Sequence, residues 1–463
     1  QLHVPARSGE EVRSFRRHEY AGAEADPPPG LGSYVPSGGV GTSASARSKV
    51  VYKRTKIMKS LKELYRIGKG PSSSHTMGPN KAAKMFAERH FGAASFEVAL
   101  YGSLAATGKG HMTDVAVIEA MDRIAPVRLV WKPEVFLPFH PNGMCFKSFD
   151  SEGHQTDEWT VYSVGGGALS EGQPNDRFSS PDVYEMNHLA EIQKWCEDKG
   201  RSYWEYVDLC EGPDIWDYLQ EVWVAMKDSV ERGIDHEGVL PGPLNLPRKA
   251  PTYYVKATGY KQTLQTRGLV YAYALAVSEE NASGGVIVTA PTCGSSGVMP
   301  GVLYHLAKGH DFKDIRVLHA LATAGLFGNV VKQNASISGA EVGCQGEVGV
   351  ACAMASAAAC QLFGGSPSQI EYAAEMGLEH HLGMTCDPIC GLVQIPCIER
   401  NAFAATRALD SNLYAAFSDG KHRVSFDHVV EVMKQTGKDL PSLYKETSAG
   451  GLAKDYKEFR KML

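Results

Sequence analysis

Two stretches limit what this chain can become. Leu318–Val331 and Gly349–Phe363 are rich in alanine, glycine and other small residues. That composition predicts helices buried on all sides, because close approach of neighbouring helices requires small side chains. Their apolar runs fall short of the about 20 residues that span a bilayer. They read as the buried interior of a helical domain and not as convincing transmembrane spans. Suitable neighbours surround them in sequence. Val183–Arg232 has amphipathic spacing, as in LAEIQKWCEDKG and IWDYLQEVWVAM, and Leu269–Ser278 and Gly297–Leu306 also predict helices. Leu240–Arg248 reads as a proline-rich loop. From residue 179 to 463 the pattern is that of an all-helical domain.

Residues 51–178 read differently, as a mixed α+β domain. The spacing of Ile57, Leu61, Leu64 and Tyr65 predicts a first helix. Pro79 opens a second, over Pro79–His90, and Thr113–Met121 a third. Strands are expected at Phe96–Tyr101, Arg128–Phe136, Met144–Phe149 and Thr160–Val164. The turn His140-Pro141-Asn142-Gly143 reads as a hairpin between the second and third of these. Residues 1–50 form a Pro/Gly/Ser-rich extension that cannot bury enough apolar surface to order itself. Its arginines and serines suit an organellar leader, whereas Glu10, Glu11, Glu19, Glu24 and Asp26 oppose one. The expectation is a cytoplasmic protein, with import through this extension as the alternative.

The net charge of −5 over 463 residues, without a long basic run, argues against nucleic acid as a partner. Ten cysteines are too few for a disulfide scaffold in a chain of this length. Three of them, Cys386, Cys390 and Cys397, lie in MTCDPICGLVQIPCIERN, where Pro388 and Pro396 fix turns. Cys344 lies upstream in the glycine-rich SGAEVGCQGEVG, where backbone can approach a bulky ligand. Thiolates from two distant loops suit an iron–sulfur cluster better than zinc, since no C-x2-C pair exists. The local ferredoxin spacing is absent as well. Cys352 and Cys360 fall in the alanine-rich stretch and read as small core residues.

Several polar runs carry a bland and a chemical reading side by side. Ser72-Ser73-Ser74-His75-Thr76 is a polar N-cap loop, or a site where hydroxyls and a helix N-terminus bind a carboxylate. Gly108-Lys109-Gly110-His111 fails as a phosphate loop, because glycine follows the lysine, yet His111 can serve as a base. His140, Asn142 and Ser163 can reach a ligand from turns. Thr292–Gly297 caps a helix or touches a ligand.

Taken together, GPSSSHTMGP (70–79), YGSLAATGKGHMTD (101–114), SVGGG (163–167), APTCGSSGVMP (290–300), SGAEVGCQGE (338–347), the 384–401 run and KETSAGGL (445–452) resemble the single-chain iron–sulfur L-serine dehydratases. The resemblance implies an α+β domain followed by a helical catalytic domain. It implies a [4Fe-4S] cluster on Cys344, Cys386 and Cys397, with Cys390 left out. It puts His75, His111 and His140 at the reaction centre, with His111 favoured as base, and Ser74, Thr76, Asn142 and Ser163 as hydrogen-bonding partners of the substrate. The implied reaction converts L-serine to pyruvate and ammonia, and the implied assembly is a homodimer. Relatives often end in a cysteine that can occupy the open iron; the tail KDYKEFRKML has none. Rival readings are an iron–sulfur hydro-lyase acting on a hydroxy acid and a non-catalytic iron–sulfur protein. The motifs leave L-serine and L-threonine both open as substrates.

Overall fold

A computed structural model describes residues 57–173, 178, 180–446, 450–454 and 456. The extension 1–50, and with it the question of import, lies outside the described residues, as do 447–449 of the 445–452 motif. Two hydrophobic cores organise the rest. One is a five-stranded sheet with helices on it; the other is a helical body.

The sheet runs in the spatial order Val127–Lys132, Ser95–Tyr101, Gly143–Phe149, Gln155–Ser163, Leu169–Ser170. Alternation explains its buried face. Phe96, Val98 and Leu100 point one way, and antiparallel pairing sets Val98 opposite Phe146 and Leu100 opposite Met144. The helix Gly78–Arg89 covers this face with Ala82, Ala83 and Phe86, and Phe86 stacks on Trp159 with ring centroids 6.2 Å apart.

The expected hairpin at residues 140–143 does not form. Ser95–Tyr101 inserts between its two strands, pairing parallel to Val127–Lys132 and antiparallel to Gly143–Phe149. The crossover through the helix Thr113–Met121 makes the parallel pair. Turn chemistry reported a local reversal correctly but not which strand would be the neighbour.

The helix expected from Ile57 to Tyr65 is also absent. Met58–Lys59 is a short strand paired with Asp182–Tyr184, and only Leu61–Glu63 is helical, as a 3-10 turn. Glu211 accepts hydrogen bonds from Leu61 N and Ser60 Oγ and fixes this turn. The apolar spacing was real, but it serves the other core: Met58, Leu61, Leu64 and Tyr65 are buried among the helices. A further strand pair, Ile67–Lys69 with Val286–Val288, stitches the N-terminal segment to the helical body.

In that body the helix Val350–Leu362 is buried along its whole length, Gln361 excepted. Asp314–Asn334, Pro367–Glu379, Cys397–Ala416 and Val298–His310 pack around it. Small residues are required at these crossings. A Cβ on Gly377 would sit 2.9 Å from Ala353 Cα, and one on Gly301 would sit 3.0 Å from Ala274 N. Cys352 and Cys360 are buried here, as expected. No helix among the described residues is long and apolar enough to cross a membrane.

Candidate active site

Cys344, Cys386 and Cys397 line one cavity, together with Ser72, Ser73, Ser74 and His111 from the sheet side. Each thiol is positioned by a different local device. Cys344 precedes the turn Gln345–Gly349 that opens the buried helix, and its carbonyl accepts from Val348 N at 2.8 Å. Cys386 sits in an irregular loop whose amide donates to the Tyr444 carbonyl at 2.8 Å. Cys397 is the first residue of its helix, where the helix dipole favours a thiolate.

Two buried amides fasten these loops. Gln345 donates to the Met433 carbonyl and accepts from Gly383 N at 2.9 Å, tying the Cys344 turn to the approach of Cys386. Asn401 donates to the Gly294 carbonyl at 2.8 Å and accepts from Gly297 N at 2.9 Å, tying the Cys397 helix to the Thr292–Gly297 turn. Thr292 meets the capping reading of that turn, and its hydroxyl donates to Glu347 at 2.8 Å.

Glu347 went unnoticed in the sequence. Its Oε2 lies 3.8 Å from Cys344 Sγ and 3.9 Å from Cys386 Sγ, so these three side chains could share a metal ion. A Cβ on Gly339 would lie 2.6 Å from Glu347 Oε2, so glycine there leaves the carboxylate its room. The only signal in the sequence was its place in SGAEVGCQGE, three residues after Cys344. Burial raises the Glu347 pKa. The hydrogen bond with Cys344, then burial, pushes the Cys386 thiol well above its ordinary value. Burial, then repulsion from Cys344 and Glu347, does the same to Cys397. Such a crowd of acids holds its charge only if a cation joins it. Arg400 supplies part: burial opposes its charge, but Cys344 and Cys397 hold the guanidinium protonated. Cys390 is only half-buried, lies at φ 57°, and is not among the residues lining the cavity.

The histidines come together on the opposite wall. The rings of His75 and His111 have centroids 4.6 Å apart. Two threonines clasp them reciprocally: Thr76 Oγ1 donates to the His111 carbonyl at 2.7 Å, and Thr113 Oγ1 donates to the His75 carbonyl at 2.6 Å. His75 has both ring nitrogens engaged, Nδ1 with Ser74 Oγ at 2.9 Å and Nε2 with Ser103 Oγ at 3.2 Å. His111 Nδ1 is buried without a partner. Burial lowers the His111 pKa to about 4, and burial with repulsion from His111 lowers that of His75 well below the usual value. Both rings are therefore neutral at pH 7.

The remaining expected residues are arranged as follows. Ser74 lines the cavity, and Ser72 caps the Ser73–Met77 turn, as the capping reading expects, while lining the cavity too. Thr76 is buried with its hydroxyl given to His111, and it is not among the lining residues. His140, Asn142 and Ser163 form a neighbouring group that is also not in the lining. His140 Nδ1 accepts from Asn142 N at 3.1 Å, and Asn142 Nδ2 donates to the Ser163 carbonyl at 3.3 Å. Asn142 Oδ1 and Ser163 Oγ are buried without partners. Native proteins rarely leave such atoms unpaired unless a ligand or water meets them.

Comparison with known proteins shows the family of the chain. A family model described as serine dehydratase alpha chain matches residues 145–453, and one described as serine dehydratase beta chain matches residues 60–128. The chain belongs to the serine dehydratase family. It is 41% identical over 451 residues to an L-serine dehydratase of Streptomyces coelicolor, covering 84% of this chain and 97% of that protein. It is 38% identical to one of Haemophilus influenzae over 449 residues, covering 86% and 99% respectively. A third, from Helicobacter pylori, is 37% identical over 453 residues, covering 86% and 99%. Family membership makes the chain an enzyme, and its cysteine-rich cavity is a candidate metal site.

Proposed function

We propose that this family member is an L-serine ammonia-lyase that makes pyruvate and ammonia, with a [4Fe-4S] cluster held by Cys344, Cys386 and Cys397. The observation that carries the reading is the meeting of three buried thiols with a neutral, unpartnered histidine nitrogen at one cavity. The donor set fits a cluster better than a single ion. Ligands of one zinc lie about 2.3 Å from it, and Cys397 falls outside the Cys344–Glu347–Cys386 triad, whose donor atoms lie within 4.8 Å of one another. When bound, a cluster lacking a fourth thiolate supplies a Lewis-acidic iron that polarises the substrate's carboxylate and hydroxyl.

The protein's own groups do the rest. Ser74, with its neighbours on the turn, offers hydroxyls to the substrate carboxylate. His111 removes the α-proton at its free ring nitrogen, because a neutral imidazole can accept a proton and His75 has both nitrogens occupied. His75 and Thr76 hold His111 in place. Asn142 and Ser163 hold the adjoining wall, with His140 completing their turn. Loss of hydroxide leaves aminoacrylate, which tautomerises and hydrolyses to pyruvate and ammonia. The reading treats 51–178 as the proton-handling domain, 179–463 as the metal-holding one, the protein as cytoplasmic, and its assembly as a homodimer that sedimentation equilibrium can test. The direct experiment is anaerobic purification, iron and sulfide analysis, and assay of L-serine beside L-threonine and malate. Pyruvate from L-serine with an iron-loaded protein is expected; activity that survives removal of all iron overturns the cluster.

A further inference from the structure

A second, larger cavity of about 900 Å3 lies behind the histidine wall. Its size falls within the about 300–1,000 Å3 typical of small-molecule sites. It shares two segments with the candidate active site. Met77, which ends the turn bearing His75, lines it, and so does Gly167, the last glycine of a run whose Gly165 and Gly166 line the thiol cavity. Arg66 joins the two by donating to the Gly166 carbonyl.

The cavity has an uneven charge. Five cationic residues line it against two acidic ones, Glu88 and Glu119. Lys69 is paired with Glu119, and Arg66 with Glu63. Lys81, Lys84 and Arg123 have no hydrogen bond or ion pair among the described residues. Lys81 is the informative one. Its side chain is exposed on the cavity lining; desolvation, then repulsion from Arg66, lowers its pKa, against Glu63, which raises it. A surface lysine normally keeps its ammonium in water; this one does so on the lining of a concave site that it shares with Arg66 and Lys84. Met85, Phe91 and Ile124 supply apolar wall, and Phe91 is 73% exposed at the rim.

We propose that this cavity binds a small amphipathic anion, a carboxylate or phosphate head on an apolar body, and that its occupant acts on the wall carrying His75. The head would lie among Lys81, Lys84 and Arg123, and the body against Met85, Phe91 and Ile124. Binding is read separately from turnover, so its outcome does not depend on the proposed reaction.

The test uses anaerobic holoenzyme and the fluorescent anion 8-anilinonaphthalene-1-sulfonate as probe. Saturable binding is expected, displaced by octanoate or octyl phosphate and not by 1-octanol, with the stronger competitor identifying the preferred head. Lys81→Gln and Arg123→Glu, checked for an unchanged circular dichroism spectrum, should each weaken probe binding by about tenfold, which is 1.4 kcal/mol. Equal displacement by 1-octanol, non-saturating fluorescence, or unchanged affinity in both folded variants would overturn the site. Octanoate should also change KM for L-serine in the unaltered enzyme and not in Lys81→Gln. Binding without such a change would overturn the link to the histidine wall.

Discussion

The two walls of the candidate active site are built on opposite principles. The thiol wall belongs to the helical body, and its acids crowd together with Arg400 as their nearby cation. The histidine wall belongs to the sheet region, and its bases are kept neutral by burial. One wall is a candidate metal site; the other leaves a buried nitrogen of His111 without a partner. The difference teaches that metal loading and proton transfer should separate under mutation.

The largest effects should come from the thiol wall. Cys344→Ser, Cys386→Ser and Cys397→Ser should each lose iron and sulfide, measured chemically, and with them turnover. Cys390→Ser should keep both, and a Cys390→Ser protein without iron would reverse the ligand assignment. Next is His111→Ala, which should keep its iron content and visible spectrum while kcat falls roughly 100-fold or more. If kcat stays near normal and His75→Ala loses it, His75 is the base. Glu347→Ala should fall between the walls, weakening metal retention by about 10–100-fold in a chelator competition, as for other groups that support metal ligands. Retention equal to the unaltered protein would make Glu347 a bystander.

A smaller effect concerns acid. His75 and His111 bind protons less readily folded than unfolded. The unfolded chain therefore takes up protons first as pH drops below about 6.5, and stability declines from there toward pH 4, where His111 itself titrates. Denaturant midpoints should fall over that window, and His111→Gln should flatten the slope. Smallest is Gln345→Ala, which removes two buried ties and should cost about 1–3 kcal/mol in unfolding free energy.

Much of this was readable in the sequence where the cause was local. Thr113–Met121 began and ended as expected. The alanine-rich stretches became buried helices because small residues leave few other uses. The cysteine motifs named the thiols that converge. What escaped depended on distant partners. The segment from Ile57 to Tyr65 has helical spacing, but Glu211 and the strand at 182–184 hold it in another form. The 140–143 turn was legible, yet an intervening strand decided its neighbours. Glu347 resembled any acid on a helix start until Thr292 and two sulfurs were found around it.

The stitch between Ile67–Lys69 and Val286–Val288 has a consequence for synthesis. Arg66 N donates to Thr289 Oγ1 across 223 residues of chain. On a ribosome making about 5–20 residues per second, the N-terminal segment waits about 10–45 s for its partner strand. Through that interval Ile67–Lys69 presents an unpaired edge, and the buried positions of Met58, Leu61, Leu64 and Tyr65 have no helices to enter. The nascent chain therefore carries this apolar segment uncovered from early on, and a chaperone that shields residues 57–69 until residue 288 has emerged should raise the yield of folded enzyme more than one acting after release.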